Sequence, residues 1–134
     1  MTEKRLRCAI SDVLPPGIPP GSDAVAVGMG TVRADDPALT ARGVGAERQP
    51  RRLAFGNGPL PEGSELELRS GRLEDELAAL AGEGVRSLLL EGGPTLAGAF
   101  LAAGLVDKLM VFTAPTVSGA GPVAFGALQE PLAL

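Results

Sequence analysis

Short apolar runs along the chain alternate with stretches of helical spacing, and glycine marks most of the joins. Asp23–Val27 (DAVAV) has strand character and leads through Gly28-Met29-Gly30 into a short helix, Thr31-Val32-Arg33-Ala34. Asp35-Asp36-Pro37 ends that helix, because proline drives the residue before it out of the α region. Val85–Leu90 (VRSLLL) begins a second such unit, with Glu91-Gly92-Gly93 as the turn and Pro94–Ala103 as the helix. Pro94 suits a first helical position, where its missing N–H costs nothing. Leu96, Phe100 and Leu101 form its apolar stripe, and Gly104 with Leu105 supplies its C-terminal stop. Between the two units, Arg52–Phe55 is a short strand ending at Gly56-Asn57-Gly58-Pro59. Leu73–Ala81 is a helix with Leu73, Leu77 and Leu80 on one face and an acidic first turn, Glu74-Asp75-Glu76. Gly82 and Gly84 stop it. Lys108–Ala114 has the pattern of a buried strand and Ser118–Pro122 that of a turn, while Pro15–Pro20 is a stiff loop. Strands alternating with helices predict an α/β domain with a largely parallel, covered sheet.

Length and composition narrow the chemistry. The 134 residues suit one domain, spanning 1–134. Hydrophobic residues make up 45% and charged residues 21%, a globular balance, and no apolar run is long enough to span a bilayer. No signal-peptide pattern opens the chain and Cys8 is alone, so a cytoplasmic protein is expected. The absence of histidine removes imidazole bases and His-ligated metals, and one cysteine removes the usual zinc frameworks, so no metal is expected. A net charge of −4 and only four aromatic residues, all phenylalanine, argue against a nucleic-acid surface. Chemistry carried by a cofactor or by carboxylates remains.

A strand that feeds a helix through two glycines leaves backbone N–H groups aimed outward at the positive end of the helix dipole, a place suited to phosphate. Either turn alone is equally an ordinary strand–helix connection; two in one small chain favour a ligand. The common dinucleotide fingerprint does not fit. Arg33 stands where its third glycine belongs, and no acid near Arg48 meets a ribose. No G-x-x-x-x-G-K-[ST] loop exists either.

The longer strings say more. Val27-Gly28-Met29-Gly30-Thr31-Val32-Arg33-Ala34-Asp35-Asp36-Pro37-Ala38-Leu39-Thr40-Ala41-Arg42 resembles the V-G-x-x-T-V-x-A-D-D-P-x-L-T-x-R signature of the riboflavin-biosynthesis pyrimidine reductases. The stretch from Leu89 to Asp107, with Glu91-Gly92-Gly93-Pro94-Thr95-Leu96 at its heart, is similar to the second signature of that family. Ala114-Pro115 and Ser118-Gly119 resemble the strand and glycine turn that come next. The family is the C-terminal reductase domain of the bifunctional deaminase–reductase. The resemblance implies a dihydrofolate-reductase-like α/β fold, here a truncated, mostly parallel sheet flanked by helices.

It also implies NADPH as cofactor and hydride delivery to C1′ of a ribosylamino-pyrimidine, with the protein positioning two ligands. By matching position, Thr31, Asp35, Gly92, Gly93, Pro94, Thr95 and Leu96 would contact the cofactor, the diphosphate lying along Gly93–Ala99. Leu39, Arg42 and Glu91 would face the substrate, Arg42 as a phosphate partner and Glu91 as the catalytic residue that orients it or handles a proton. Plainer roles stand beside these. Asp35 or Asp36 could cap the turn before Pro37, Thr31 could be an N-cap, and Arg42 a solvated charge. Cys8 suits a small core position. Arg51 and Arg52 are candidates for a cofactor 2′-phosphate.

The chain departs from full-length relatives in several places. The region before the first signature shrinks to Leu6–Ser22, where Ala9-Ile10-Ser11-Asp12 keeps a trace of the opening strand. Gly56-Asn57-Gly58 replaces an acidic-plus-hydroxyl pair, and the short segment Pro61–Arg72 leaves room for a strand to be missing. Open sheet edges then predict a homodimer or larger assembly. The alternatives to a reductase are a relative that binds a nucleotide, small molecule or partner chain without hydride transfer, and a structural subunit.

Overall fold

The computed structural model describes residues 22–35, 49–91, 93–111, 115, 117, 119, 121, 123–126 and 128–133, together with the backbone of 7–12. Among the described residues six strands build one sheet and three helices connect them; the strands are β1 (Arg7–Asp12), β2 (Ala24–Gly28), β3 (Arg51–Phe55), β4 (Glu67–Arg69), β5 (Ser87–Glu91) and β6 (Lys108–Val111). Their order is β4-β3-β2-β5-β1-β6, and every pairing is parallel. The helices are α1 (Met29–Asp35), α2 (Leu73–Gly82) and α3 (Pro94–Ala102).

Strand alternation splits the core in two. Ala24, Ala26, Leu53, Phe55, Leu88 and Leu90 turn to one face and meet Leu77 and Leu80 of α2 with Ala97, Phe100 and Leu101 of α3. Val25, Val27, Ala54 and Leu89 turn to the other face and meet Met29 and Val32 of α1. Phe100, Leu53 and Leu80 are fully buried, each stabilising the fold by about 2 kcal/mol. The Phe55 and Phe100 rings meet edge to face at 5.5 Å, joining β3 to α3. Both long helices end in the same way. The Gly84 and Gly104 amides bond to Ala81 and Leu101, and the Val85 and Leu105 amides reach back to Leu80 and Phe100.

Where β2 and β5 begin, Asp23 acts as a clasp. Its carboxylate accepts the Arg86 and Ser87 amides at 2.7 and 3.2 Å, and its own amide donates to the Ser87 hydroxyl at 2.9 Å.

Several expectations need correction. Gly28-Met29-Gly30 is not a turn: β2 runs through Gly28 and α1 starts at Met29, with no residue between them. A strand is not missing from Pro61–Arg72, because Glu67–Arg69 forms β4 beside β3. β6 is not buried within the chain, since Lys108 and Val111 are exposed along a sheet edge. Residues 112–114 of the expected strand lie outside the described residues, as does much of Ser118–Pro122.

Arg51 and Arg52, the candidates for a 2′-phosphate, are engaged elsewhere. They open β3, at the end of the sheet far from the helix starts, and are already paired. Arg51 meets Glu67 at 2.6 Å and Glu83 at 2.7 Å, and Arg52 meets Glu65 at 2.6 Å. Arg69 adds contacts to Glu83 at 3.1 Å and Glu76 at 3.4 Å, tying the edge strand β4 to α2. The Arg51 guanidinium holds the Glu67 carboxyl below the usual carboxylate range.

Candidate functional site

The strand order reverses between β2 and β5. From β2 the chain crosses through α1 to β3 on one side, and from β5 it crosses through α3 beyond β1 to β6 on the other. In parallel sheets such a reversal opens a crevice at the carboxyl ends of the strands, because the two connections leave in opposite directions. Gly28 and Glu91 end the two strands, so the helix starts at Met29 and Pro94 stand at this crevice.

The two starts are in contact range. A Cβ on Gly28 would lie 3.5 Å from Leu96 Cβ, and one on Gly93 would lie 3.5 Å from the Thr31 hydroxyl oxygen. Gly93 itself sits at φ 83°, ψ 99°, a conformation that a side chain strongly disfavours. It is the N-cap of α3 and brings no side chain to the helix end. The first amide of the α3 ladder is that of Ala97, bonded to the Gly93 carbonyl at 3.0 Å, so the Thr95 and Leu96 amides lie ahead of it. Glycine at 93 thus clears a path to those donors, with the Thr31 hydroxyl opposite.

Glu91 ends β5 at the same rim, in register with Ser11 of β1. It is partly buried, and by strand alternation it shares the face of Leu89, toward α1. Burial pushes its carboxyl above the usual range, so it keeps a proton to higher pH than a solvated glutamate.

On the other side of the crevice, Gly56-Asn57-Gly58 follows β3. A Cβ on Gly56 would meet Met29 side-chain carbons at 3.0 Å, and the Arg33 guanidinium donates to the Asn57 carbonyl at 2.6 Å. Arg33 passed unnoticed in the sequence because its only signal there was a misfit to a glycine fingerprint. Asp35 is exposed at the end of α1. The structure therefore brings Thr31, Glu91, Gly93, Pro94, Thr95 and Leu96 to one rim, and leaves Asp35 at the far end of a short helix. Gly92, Leu39, Arg42 and Asp36 lie outside the described residues. Among the described residues no three acidic or cysteine side chains gather as a metal site, and no helix is long and apolar enough to cross a membrane.

Residues 20–133 match the family model described as RibD C-terminal domain. The riboflavin biosynthesis protein RibD of Mycobacterium tuberculosis is 43% identical over 113 residues, covering 76% of this chain and 32% of that protein. A solved structure of Acinetobacter baumannii RibD aligns with a TM-score of 0.70 at 27% identity, over 81% of this chain and 40% of that one. A Thermotoga maritima structure described as a diaminohydroxyphosphoribosylaminopyrimidine deaminase/5-amino-6-(5-phosphoribosylamino)uracil reductase shares the fold. Its TM-score is 0.70 at 22% identity, over 95% of this chain and 50% of that one. The chain spans about a third of the length of the curated relatives that it matches over most of its own length.

Proposed function

The chain belongs to the RibD C-terminal domain family, and from that membership we propose that it is an NADPH-dependent reductase of a ribosylamino-pyrimidine, or a related small heterocycle, in riboflavin biosynthesis. The observation that carries this reading is the meeting of Gly93 with Thr31 at the strand-order reversal.

The residues present fit a dinucleotide. Gly93 leaves open the space that a Cβ would fill, the Thr95 and Leu96 amides supply anion donors at a helix start, and the Thr31 hydroxyl offers a further polar contact. NADPH, when bound there, supplies a hydride. Glu91 stands at the rim, where burial raises its carboxyl above the ordinary value, and a ribosyl ring opened at C1′ must take up a proton on the ring oxygen. In its protonated form the carboxyl can deliver it. Leu39 and Arg42 complete the substrate side in this reading, Arg42 as partner of a substrate phosphate.

Arg33 favours NADPH over NADH. If the reacting end of the dinucleotide lies near Glu91, its adenosine end runs toward the turn after β3. That turn contains no carboxylate to hold ribose hydroxyls, and Arg33 carries a cation to it. Arg33→Ala is expected to weaken NADPH binding about tenfold in a fluorescence titration, the scale of one lost charge-assisted hydrogen bond, with little change for NADH. Equal losses for both cofactors would remove Arg33 from this role. Turnover is tested by the fall in NADPH absorbance with a ribosylamino-pyrimidine. Tight binding without turnover would indicate a relative that has kept the site and lost the reaction, and no binding a structural subunit.

The same reading includes a homodimer. β4 is short and charged, but the β6 edge exposes Val111 at 59% and needs cover. Light scattering is expected to give twice the chain mass; a monomer would refute it.

A further inference from the structure

Phe125, Gly126 and Leu128 lie far from the β2–β5 crevice in sequence, yet they pack on the helix that helps to form it. Phe125 and Leu128 rest against the core cluster that contains Phe100 and Leu101. Between them the Gly126 amide donates to the Pro94 carbonyl at 2.9 Å. Gly98, one turn further along the same helix face, is buried, and a Cβ there would run into the Gly126 carbonyl. The contact is backbone against backbone, and only glycine at 98 permits it.

We propose that this segment is a positioning brace for the cofactor-binding turn of α3, with Gly98 as its seat. The proposal rests on the dinucleotide reading given above. α3 begins at a glycine N-cap and a proline, so no capping side chain fixes its first turn. The brace supplies from outside what the cap does not. It fastens the Pro94 carbonyl, and its backbone runs beside Thr95, where a Cβ on Gly126 would be 3.8 Å from the Thr95 nitrogen. Donors that bind an anion must be held close to the productive geometry, so a first turn left free to fray would hold the diphosphate less well.

Gly98→Ala tests this, with Gly82→Ala as control. Alanine is the better helix former, and nothing lies within 4 Å of a Cβ at Gly82, so the control should melt at a higher temperature. Gly98→Ala should instead melt lower, because it expels Gly126. Its Kd and KM for NADPH should rise about tenfold, a larger change than any in kcat at saturating cofactor. Gly126→Pro removes the same amide by a different route and should give the same split. Combined with Gly98→Ala it should add little, since both act through one contact. If the parent chain binds NADPH and both variants bind it equally well, the brace is overturned and the dinucleotide reading stands. If the parent chain does not bind NADPH, that reading falls and the brace falls with it.

Discussion

Gly93→Ala is expected to weaken NADPH binding at least 100-fold while leaving the sheet intact by far-UV circular dichroism. Two effects act together. At φ 83° a Cβ is strained by about 1–2 kcal/mol, so the backbone around residue 93 would relax away from its present path. The added methyl would also sit 3.5 Å from the Thr31 hydroxyl, in the gap through which a diphosphate would reach the Thr95 and Leu96 amides. The nearest atom is in ordinary contact range, so the loss should fall on the ligand far more than on the fold. Fluorescence titration reads the affinity and thermal melting reads the fold. Undiminished affinity in a folded variant would refute the assignment of the diphosphate to this turn.

Glu91→Gln should be the second large effect, lowering kcat by roughly 10²- to 10⁴-fold with KM for NADPH little changed, as removal of a proton-handling group does. Burial raises the carboxyl above its ordinary value, so the parent enzyme should lose activity as pH rises through that raised value and the proton is given up. The variant should lack that limb. Stability carries the same sign. The folded chain holds the Glu91 proton more tightly than the unfolded chain, so this residue's contribution is most favourable at low pH and diminishes as pH rises through the folded value. Glutamine should flatten that part of the stability profile. A variant with full activity and an unchanged pH profile would leave Glu91 no role in proton handling.

Much of this arrangement was legible before any coordinates. Local signals marked α2 and α3 almost to the residue, because Pro94, Gly84 and Gly104 act through backbone geometry that sequence neighbours determine. The two signature strings placed Thr31 and Gly93 in one site, although nothing local says that they approach each other. What escaped was non-local. β4 has three residues and no periodicity to detect; it is a strand because β3 lies beside it and Arg69 reaches Glu76 and Glu83 on α2. Arg51 and Arg52 looked free because Glu65, Glu67 and Glu83 meet them only after the sheet closes. Gly98 fell within the stretch expected along the diphosphate, and only the folded chain sets Gly126 against it.

The place of β1 in the sheet bears on how the molecule comes together. β1 is inserted between β5 and β6, with Arg7 opposite Ser87 and Ala9 opposite Lys108. Closing that span forfeits about 4 kcal/mol of chain entropy before any contact compensates, about 1 kcal/mol more than pairing β2 with β3. During synthesis β1 remains unpaired until β5 is made, whereas β2 gains β3 earlier. The pairing of Ser11 with Glu91 at the crevice rim therefore forms only once β5 has been made, after β2 and β3 can already have met.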